Sequence, residues 1–557
     1  MTPNAQQAPQ AQPYSDQAAR TPLHTHQASQ TPLRTDRAQL LARLSEDKTY
    51  DLAIIGGGAT GLGLALDAAS RGYSVVLVDA TDFAKGTSSR STKLVHGGVR
   101  YLAQGNVSLV YEALHERTTL LHNAAHLAQP LAFILPCYKF WEIPFYGAGL
   151  LLYDALSGKR SLGRTRFLGG RQTLKHIPNL RSERLKGSVK YWDGQFDDAR
   201  LALALARTAA QRGALLINYC SALELTHNNG QITGLLAHDQ DTQQTYSIKA
   251  NCVVNATGVW VDALRAKDDA AAGTKSVDMV APSQGVHVVV DREFLAGEHA
   301  IIVPHTSDGR VLFAVPWLGK VILGTTDTPR HDLSREPDPY AEELEFILRE
   351  SARYLTRAPK REDIKSIWVG LRPLVKPPKD EQGNTKAISR EHTVLVSKSK
   401  MVTVTGGKWT TYRAMAQDVL KHCVDAKLLP ERSTCSTTGL PLVGAQTGRK
   451  VDHPMYEPPG LQAYGDESDF VAQLPGAERA LGGGLTEAMV RFAVRYEYAR
   501  TVEDVLARRS RLLFLDAKLA GSMAESVGEL ITNEIPGHDP EVETFKKLAL
   551  HYLTLPA

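Results

Sequence analysis

Apolar residues run along this chain in short clusters broken by glycine and polar positions. Tyr50-Asp51-Leu52-Ala53-Ile54-Ile55 predicts a buried strand, and Leu62 to Arg71 an Ala/Leu-rich helix stopped by Gly72. Ser74-Val75-Val76-Leu77-Val78 predicts a second strand, ending at Asp79. Together they close a strand–helix–strand unit of about 30 residues. A helix is expected over 198–212, capped by Asp197 and stopped by Gly213. Strands over 214–225 and 232–238 flank the turn Asn228-Asn229-Gly230. Further strands are expected at 252–255, 286–290, 311–315, 320–323 and 401–405. From about Leu429 the texture shifts through a Pro/Gly-rich linker to helical patterns at 486–497, 501–513 and 539–553. At the other end, residues 1–37 are rich in Ala, Gln, Thr, Pro and His and read as part of a disordered leader over 1–49. Within it a short helix is expected at 38–46, where Leu40, Leu41 and Leu44 share a face.

Composition narrows the function classes. With 43% hydrophobic and 22% charged residues over 557 positions, the chain can build several ordinary cores. A net charge of +4 argues against a dedicated nucleic-acid binder. The five cysteines, Cys137, Cys220, Cys252, Cys423 and Cys435, contain no CxxC pair, so neither a disulfide framework nor a metal centre is expected and a reducing, cytoplasmic setting fits. No apolar run is long enough to span a bilayer.

The break after the first strand carries the first chemistry. Gly56-Gly57-Gly58-Ala59-Thr60-Gly61 follows a strand and opens a helix, and Asp79 ends the next strand. This is the dinucleotide-binding arrangement: Gly56 permits the turn, Gly58 the approach of a pyrophosphate and Gly61 close helix packing, while Asp79 accepts from ribose hydroxyls. The helix N-terminus adds free N–H groups and a positive dipole end. The following segment, 86–102, is dense in hydroxyls and glycine and suits a loop lying along a bound cofactor.

Several motifs together resemble the FAD-dependent, quinone-linked glycerol-3-phosphate dehydrogenases: the glycine-rich opening, Thr87-Ser88-Ser89 with Ser91-Thr92-Lys93-Leu94, His96-Gly97-Gly98 with Arg100-Tyr101-Leu102, Gly324-Thr325-Thr326-Asp327, Gly370-Leu371-Arg372-Pro373-Leu374, and Gly406-Gly407-Lys408 with Thr410-Thr411-Tyr412-Arg413. Glu497-Tyr498-Ala499 and Asp504 to Arg509 resemble the C-terminal domain of that family. The sequence departs from the family pattern at Asp79, where glutamate is commoner, and in its leader. The resemblance implies an α/β fold: a Rossmann-type FAD-binding domain interleaved with a mixed-β substrate domain, like glutathione reductase and D-amino acid oxidase, plus an all-α C-terminal domain. The expected division is FAD segments near 50–128, 185–262 and 365–428, substrate segments near 129–184 and 263–364, and a helical domain over 429–557.

The reaction the resemblance implies is oxidation of sn-glycerol 3-phosphate to dihydroxyacetone phosphate. Hydride passes from C2 to N5 of FAD, and electrons pass on to a membrane quinone. The FAD contacts it implies are Gly56, Gly57, Gly58, Ala59, Thr60, Gly61, Asp79, Thr87, Ser88, Ser89, Lys93, Leu94, His96, Gly97, Gly98, Ala222, Thr257, Gly258, Gly407, Lys408 and Thr410. Arg100, Tyr101, Arg372 and Lys408 fall at the family's substrate positions; two guanidiniums and an ammonium suit a phosphate dianion. Thr325 is placed to bond the substrate hydroxyl or the flavin. Thr410 or Thr411 is expected to cap a helix aimed at the flavin pyrimidine edge. His287, alternating with valines on a strand, is the first choice of base, with a hydrogen-bonded structural histidine as the other reading.

Residues 140–156 are apolar and aromatic and are followed by Lys159, Arg160, Arg164 and Arg166. Two readings are open: an interfacial helix on a membrane surface or a buried core helix. A lipid-soluble quinone favours the first, with peripheral attachment to the cytoplasmic face of the inner membrane. An oxygen-using oxidase and a nonenzymatic dinucleotide sensor remain alternatives, and a homodimer is left open.

Overall fold

In the computed structural model, strand Thr49–Ile55 lies between Thr245–Asn255 and Val75–Val78 and is parallel to both. The residues described are 31–99, 102, 106–304, 306, 309–376, 391–445 and 453–557. Leu52, Ala53, Ile54 and Ile55 are all buried, as a strand covered on both faces requires. Val75–Val78 continues in parallel to Leu215–Ile217, and Thr245–Asn255 to Val402–Gly406, which His392–Val396 flanks antiparallel. The hairpin Cys220–Asn228/Gln231–Asp239 hangs on this sheet through Thr245–Asn255; Asn229 and Gly230 both take positive φ at its turn. All the parallel strands end at one edge: at Gly56, at Asp79, before Ala256-Thr257-Gly258, and at Gly406-Gly407.

Helix Ala59–Ser70 covers one face of this sheet. It packs so closely on helix Tyr412–Asp425 that a Cβ at Gly63 would lie 2.7 Å from the Tyr412 ring. Helix Asp198–Gln211 lies beside it, and the Asp197 carboxylate accepts from Arg200 N–H at 3.2 Å, the expected cap. The leucine pattern near residue 40 forms helix Arg37–Leu44, with Leu41 and Leu44 buried under the sheet.

A second, ten-stranded mixed sheet is built mainly from Ala128–Cys137, Gly187–Phe196, Val280–Asp291, Ala300–Val303, Leu312–Trp317, Lys320–Gly324 and Ser366–Val375. Val280–Asp291 pairs along its length with Ser366–Val375, bringing His287 opposite Trp368 and Ser283 opposite Arg372. The C-terminal helices share one hydrophobic core with this sheet: Trp317 and Trp368 meet Phe514, Phe545 and Tyr552.

Two expectations are corrected here. The pattern over 501–513 is not one helix: Asp504–Arg509 is a π-turn, Arg511 has φ +65°, and Leu512–Leu515 restarts as a separate turn. The cause is ionic. Arg508 and Arg509 are both drawn onto the buried Asp82, and Arg511 bonds Asp198 at 3.0 Å. Helix Tyr412–Asp425 does begin after Thr411, but neither threonine caps it. Thr411 Oγ1 donates to Lys408 O, and Thr410 Oγ1 to His96 O, both at 3.3 Å.

Candidate active site

The edge where the parallel strands end opens into a cavity of about 440 Å³. Its floor is the glycine turn. Gly56 has φ +112°, and a Cβ there would lie 2.6 Å from Ala256 O; a Cβ on Gly61 would lie 1.9 Å from Gly56 O. Neither position tolerates a side chain. Gly58 differs: its Cβ would meet only Ser88 Oγ, at 3.1 Å, so the space it leaves faces the cavity. Gly58 also offers no side chain to cap helix Ala59–Ser70, whose N-terminus therefore opens on the cavity with donors and a positive dipole end. Ser88 Oγ accepts from Ala59 N–H at 2.9 Å.

Asp79 stands at one end. Its Oδ2 accepts from Gly57 N–H at 2.6 Å and its Oδ1 from Thr81 N–H at 2.8 Å. Burial pushes its carboxyl above the ordinary range against the pull of these donors. A carboxylate fixed from behind, with lone pairs to spare, suits ribose hydroxyls. The chain thus supplies what a dinucleotide needs: a side-chain-free cradle, a helix start left open at Gly58 and a held acid.

Of the residues expected to hold cofactor, Gly56, Gly58, Ala59, Thr60, Asp79, Thr87, Ser88, Ala222, Thr257, Gly258, Gly407 and Lys408 line the cavity. Gly57 and Gly61 shape its floor from behind. Ser89, Lys93, Leu94, His96, Gly97, Gly98 and Thr410 do not line it. Among the described residues the loop follows the cavity only through Ser88. Lys93, at φ +63°, turns fully inside. There its ammonium bonds Ser89 O at 2.6 Å and Asp198 at 2.7 Å. Burial, reinforced by Arg511 and opposed by Asp198, lowers the Lys93 ammonium to about 7. Thr410 and His96 hold one another through backbone contacts near 3.3 Å. Arg100 and Tyr101 lie outside the described residues.

Arg372 sits beside the cavity, between Leu371, whose carbonyl accepts from Thr87 Oγ1, and Pro373, which lines it. Its guanidinium donates to Thr325 Oγ1 at 3.0 Å, Thr326 O at 2.9 Å and Gln284 O at 3.1 Å, and stands 3.6 Å from Asp327. It lies over Gly285, where a Cβ would be 2.2 Å from the guanidinium. His287 is on the same face of the sheet, buried, stacked on Trp368 at 4.2 Å, with Nε2 2.9 Å from Thr92 Oγ1. Burial first, then Lys93 and Arg372, holds its imidazole well below the ordinary pKa. Lys408 lines both the main cavity and an adjoining one of about 290 Å³.

Sequence reasoning missed several lining residues. Trp260 packs on Gly86 and donates to Leu333 O at 3.0 Å, and Trp409 donates to Ser88 O at 2.8 Å. Both adjoin flagged motifs, Ala256-Thr257-Gly258 and Gly406-Gly407-Lys408, which is the signal that could have found them. Arg335 and Lys267 also line the cavity, and nothing local marks them.

Comparison with known proteins agrees with this geometry. The model of the FAD dependent oxidoreductase family matches residues 51–413, and that of the C-terminal domain of alpha-glycerophosphate oxidase matches residues 435–539. The chain is 40% identical over 529 residues to the probable mitochondrial glycerol-3-phosphate dehydrogenase of Caenorhabditis elegans, covering 90% of this chain and 72% of the relative. It is 38% identical over 557 residues to the mitochondrial enzyme of Homo sapiens, covering 92% and 75%. The solved glycerol-3-phosphate dehydrogenase from Bacillus halodurans complexed with FAD superposes with a TM-score of 0.73 at 30% identity, over 93% of this chain and 97% of that one. The chain belongs to the FAD-dependent oxidoreductase family, among its glycerol-3-phosphate dehydrogenases.

Proposed function

We propose that this chain oxidises sn-glycerol 3-phosphate to dihydroxyacetone phosphate, with a membrane quinone as final acceptor. FAD, when bound, supplies the acceptor for the C2 hydride. Gly56, Gly58 and the start of helix Ala59–Ser70 would hold its pyrophosphate, Asp79 its ribose, and Lys408 an anionic edge. The observation that carries the reading is the placement of Arg372 against Thr325 over Gly285, beside the cofactor cavity. There a guanidinium held against Gln284 O, Thr325 Oγ1 and Thr326 O has the planar, charged geometry that suits a phosphate dianion. Arg100, Tyr101 and Lys408 complete the proposed substrate set.

His287 is the proposed base. Nε2 is engaged by Thr92, and among the described residues Nδ1 has no hydrogen-bond partner, so Nδ1 is the nitrogen we assign to take the C2 hydroxyl proton. Two cations depress its proton affinity, Lys93 and Arg372. A phosphate dianion on Arg372 offsets one of them, so substrate binding itself makes His287 a better base.

The test is anaerobic addition of glycerol 3-phosphate to the purified holoprotein while the flavin absorbance is followed. Bleaching is expected; none with this substrate would overturn the assignment. Stoichiometric peroxide in air, with no reduction of a quinone analogue, would identify oxygen as acceptor instead.

The quinone reading is supported by helix Glu142–Ser157. Gly147, Leu150, Tyr153 and Ser157 face inward, while Phe145 is 62% and Leu152 51% exposed, beside Phe140 at 74%. Lys159, Arg160, Arg164 and Arg166 are exposed next to it. An apolar face ringed by cations suits the interface of an anionic membrane, with attachment to the cytoplasmic face of the inner membrane. Among the described residues no helix is long and apolar enough to cross one.

A further inference from the structure

Helix Ala341–Tyr354 packs on strands Val280–Asp291 and Lys320–Gly324, and its third residue is Glu343. A glutamate at that position ordinarily reaches back to the cap N–H and otherwise meets water. Glu343 does reach back, accepting from Tyr340 N–H at 3.1 Å, but it is 1% exposed and its carboxylate is turned inward. One oxygen accepts from Thr326 Oγ1 and Thr328 Oγ1, each at 2.7 Å; the other also accepts from the side-chain amide of Gln284. The Gln284 side chain is gripped from a second direction, where its Oε1 accepts from Arg330 at 2.5 Å. Thr326 Oγ1 in turn accepts from Val286 N–H at 2.9 Å. Gln284 and Thr326 are the two residues whose backbone carbonyls accept from the Arg372 guanidinium, at 3.1 and 2.9 Å. A helix cap needs one of these donors. A buried carboxylate that collects four, two of them from the residues holding Arg372, is explained neither by the helix nor by the cofactor cavity, which Glu343 does not line.

We propose, on the reading of Arg372 as the phosphate residue, that Glu343 is its positioning residue: by holding the Gln284 and Thr326 side chains it fixes the two carbonyls that aim the guanidinium. Its action is geometric and can be told from its charge. Glu343→Gln removes a negative charge, which by Coulomb attraction alone would favour a nearby phosphate dianion. It also replaces one accepting oxygen by an amide nitrogen, so buried donors lose their acceptor and the Gln284 and Thr326 segments are released. The two effects have opposite signs, so weaker use of the phosphate reports positioning.

The test is a double-mutant cycle on the holoenzyme: wild type, Glu343→Gln, Arg372→Ala and the double variant. Each is assayed for FAD content and for kcat/KM with glycerol 3-phosphate and with glycerol, using a water-soluble dye acceptor. Glu343→Gln should lower kcat/KM for glycerol 3-phosphate about three- to thirtyfold, the usual size for coupled neighbours, and leave the glycerol value and the FAD content nearly unchanged. In the Arg372→Ala background the same substitution should cost less than about twofold, because no guanidinium is left to aim. An unchanged kcat/KM in Glu343→Gln, equal losses with its two substrates, or losses that simply add in the double variant overturn the proposal. Should Glu343→Gln give no folded holoenzyme, Thr326→Val cuts the same link from the other end and should show the same selectivity for the phosphorylated substrate. A wild-type value there, or no folded protein from either variant, overturns the proposal as well. An Arg372→Ala enzyme that loses nothing with glycerol 3-phosphate, or as much with glycerol, would instead refute the reading of Arg372, and the proposal falls with it.

Discussion

Arg372 gives the sharpest test of the proposed chemistry. Arg372→Ala removes a guanidinium that is 21% exposed and is anchored by Gln284 O, Thr325 Oγ1 and Thr326 O. If two of its donors turn to phosphate, each charge-assisted bond is worth about 1.5–3 kcal/mol, less a share for residual solvent. Asp327, 3.6 Å from the guanidinium, would be left facing the phosphate and adds repulsion. The expected loss is about 2–5 kcal/mol in transition-state binding, a fall in kcat/KM of about thirty- to several-thousand-fold. Arg372→Lys keeps charge but loses the fork and should fall between the two. Glycerol lacks the phosphate, so its much poorer turnover should hardly change in either variant. The assay is kcat/KM for both substrates in all three proteins, normalised to bound FAD. Equal losses for glycerol and glycerol 3-phosphate would refute the reasoning and move the phosphate contact to Arg100 and Lys408.

Gly58→Val and Gly61→Val should part company. The first places its side chain in the cavity and should yield a folded protein depleted of FAD; the second drives into Gly56 O and should abolish soluble expression. Measuring flavin content and circular dichroism decides, and a fully flavinylated Gly58→Val would sink the cradle assignment. His126 is held down to about 3 by burial and then by Arg200 and Arg207. The unfolded chain takes that proton near 6.5 while the native state does not, so stability is present above about 6.5 and lost as pH falls below it, by about 2 kcal/mol at pH 5. Thermal unfolding between pH 7 and 5 should show a shallower decline in His126→Gln; an identical slope would discount this residue. Phe145→Ser with Leu152→Ser should abolish the salt-resistant part of binding to anionic vesicles while leaving dye-linked turnover intact. Cosedimentation at low and high salt checks this, and wild-type-like binding by the double variant would exclude this face.

What the sequence disclosed and what it hid divide along a physical line. The glycine turn was legible because its requirements are local: a positive φ at Gly56 and a 1.9 Å approach at Gly61 admit one residue type whatever the rest of the chain does. Strands buried on both faces are also local statements, as Ile54 and Val76 show. The inward turn of Lys93 is not legible in the sequence, because hydroxyl-rich loop composition does not tell where the loop leaves the cavity. That is decided by Asp198, 105 residues later, which captures the ammonium. The same holds for 501–513, where helical periodicity is real but Asp82, more than 400 residues earlier, draws in Arg508 and Arg509 and breaks the helix.

Those long-range ion pairs also bear on function. Lys93 Nζ lies 4.8 Å from the Trp368 ring, and Trp368 stacks on His287. Arg511, from the C-terminal helices, shares Asp198 and the Ser89 carbonyl with Lys93. The proton affinity of His287 is therefore set partly by a cation whose counter-charge is divided with the C-terminal domain. Arg511→Met would remove the second cation from Asp198 without replacing any of the proposed active-site side chains. Arg511 helps to hold the Lys93 ammonium down, so without it Lys93 stays charged to higher pH; the field at His287 should become more positive, and the acid limb of the kcat/KM profile should move to lower pH. An unshifted profile from a folded, flavin-replete Arg511→Met protein would show that His287 does not sense this network, and would detach the C-terminal helices from the chemistry.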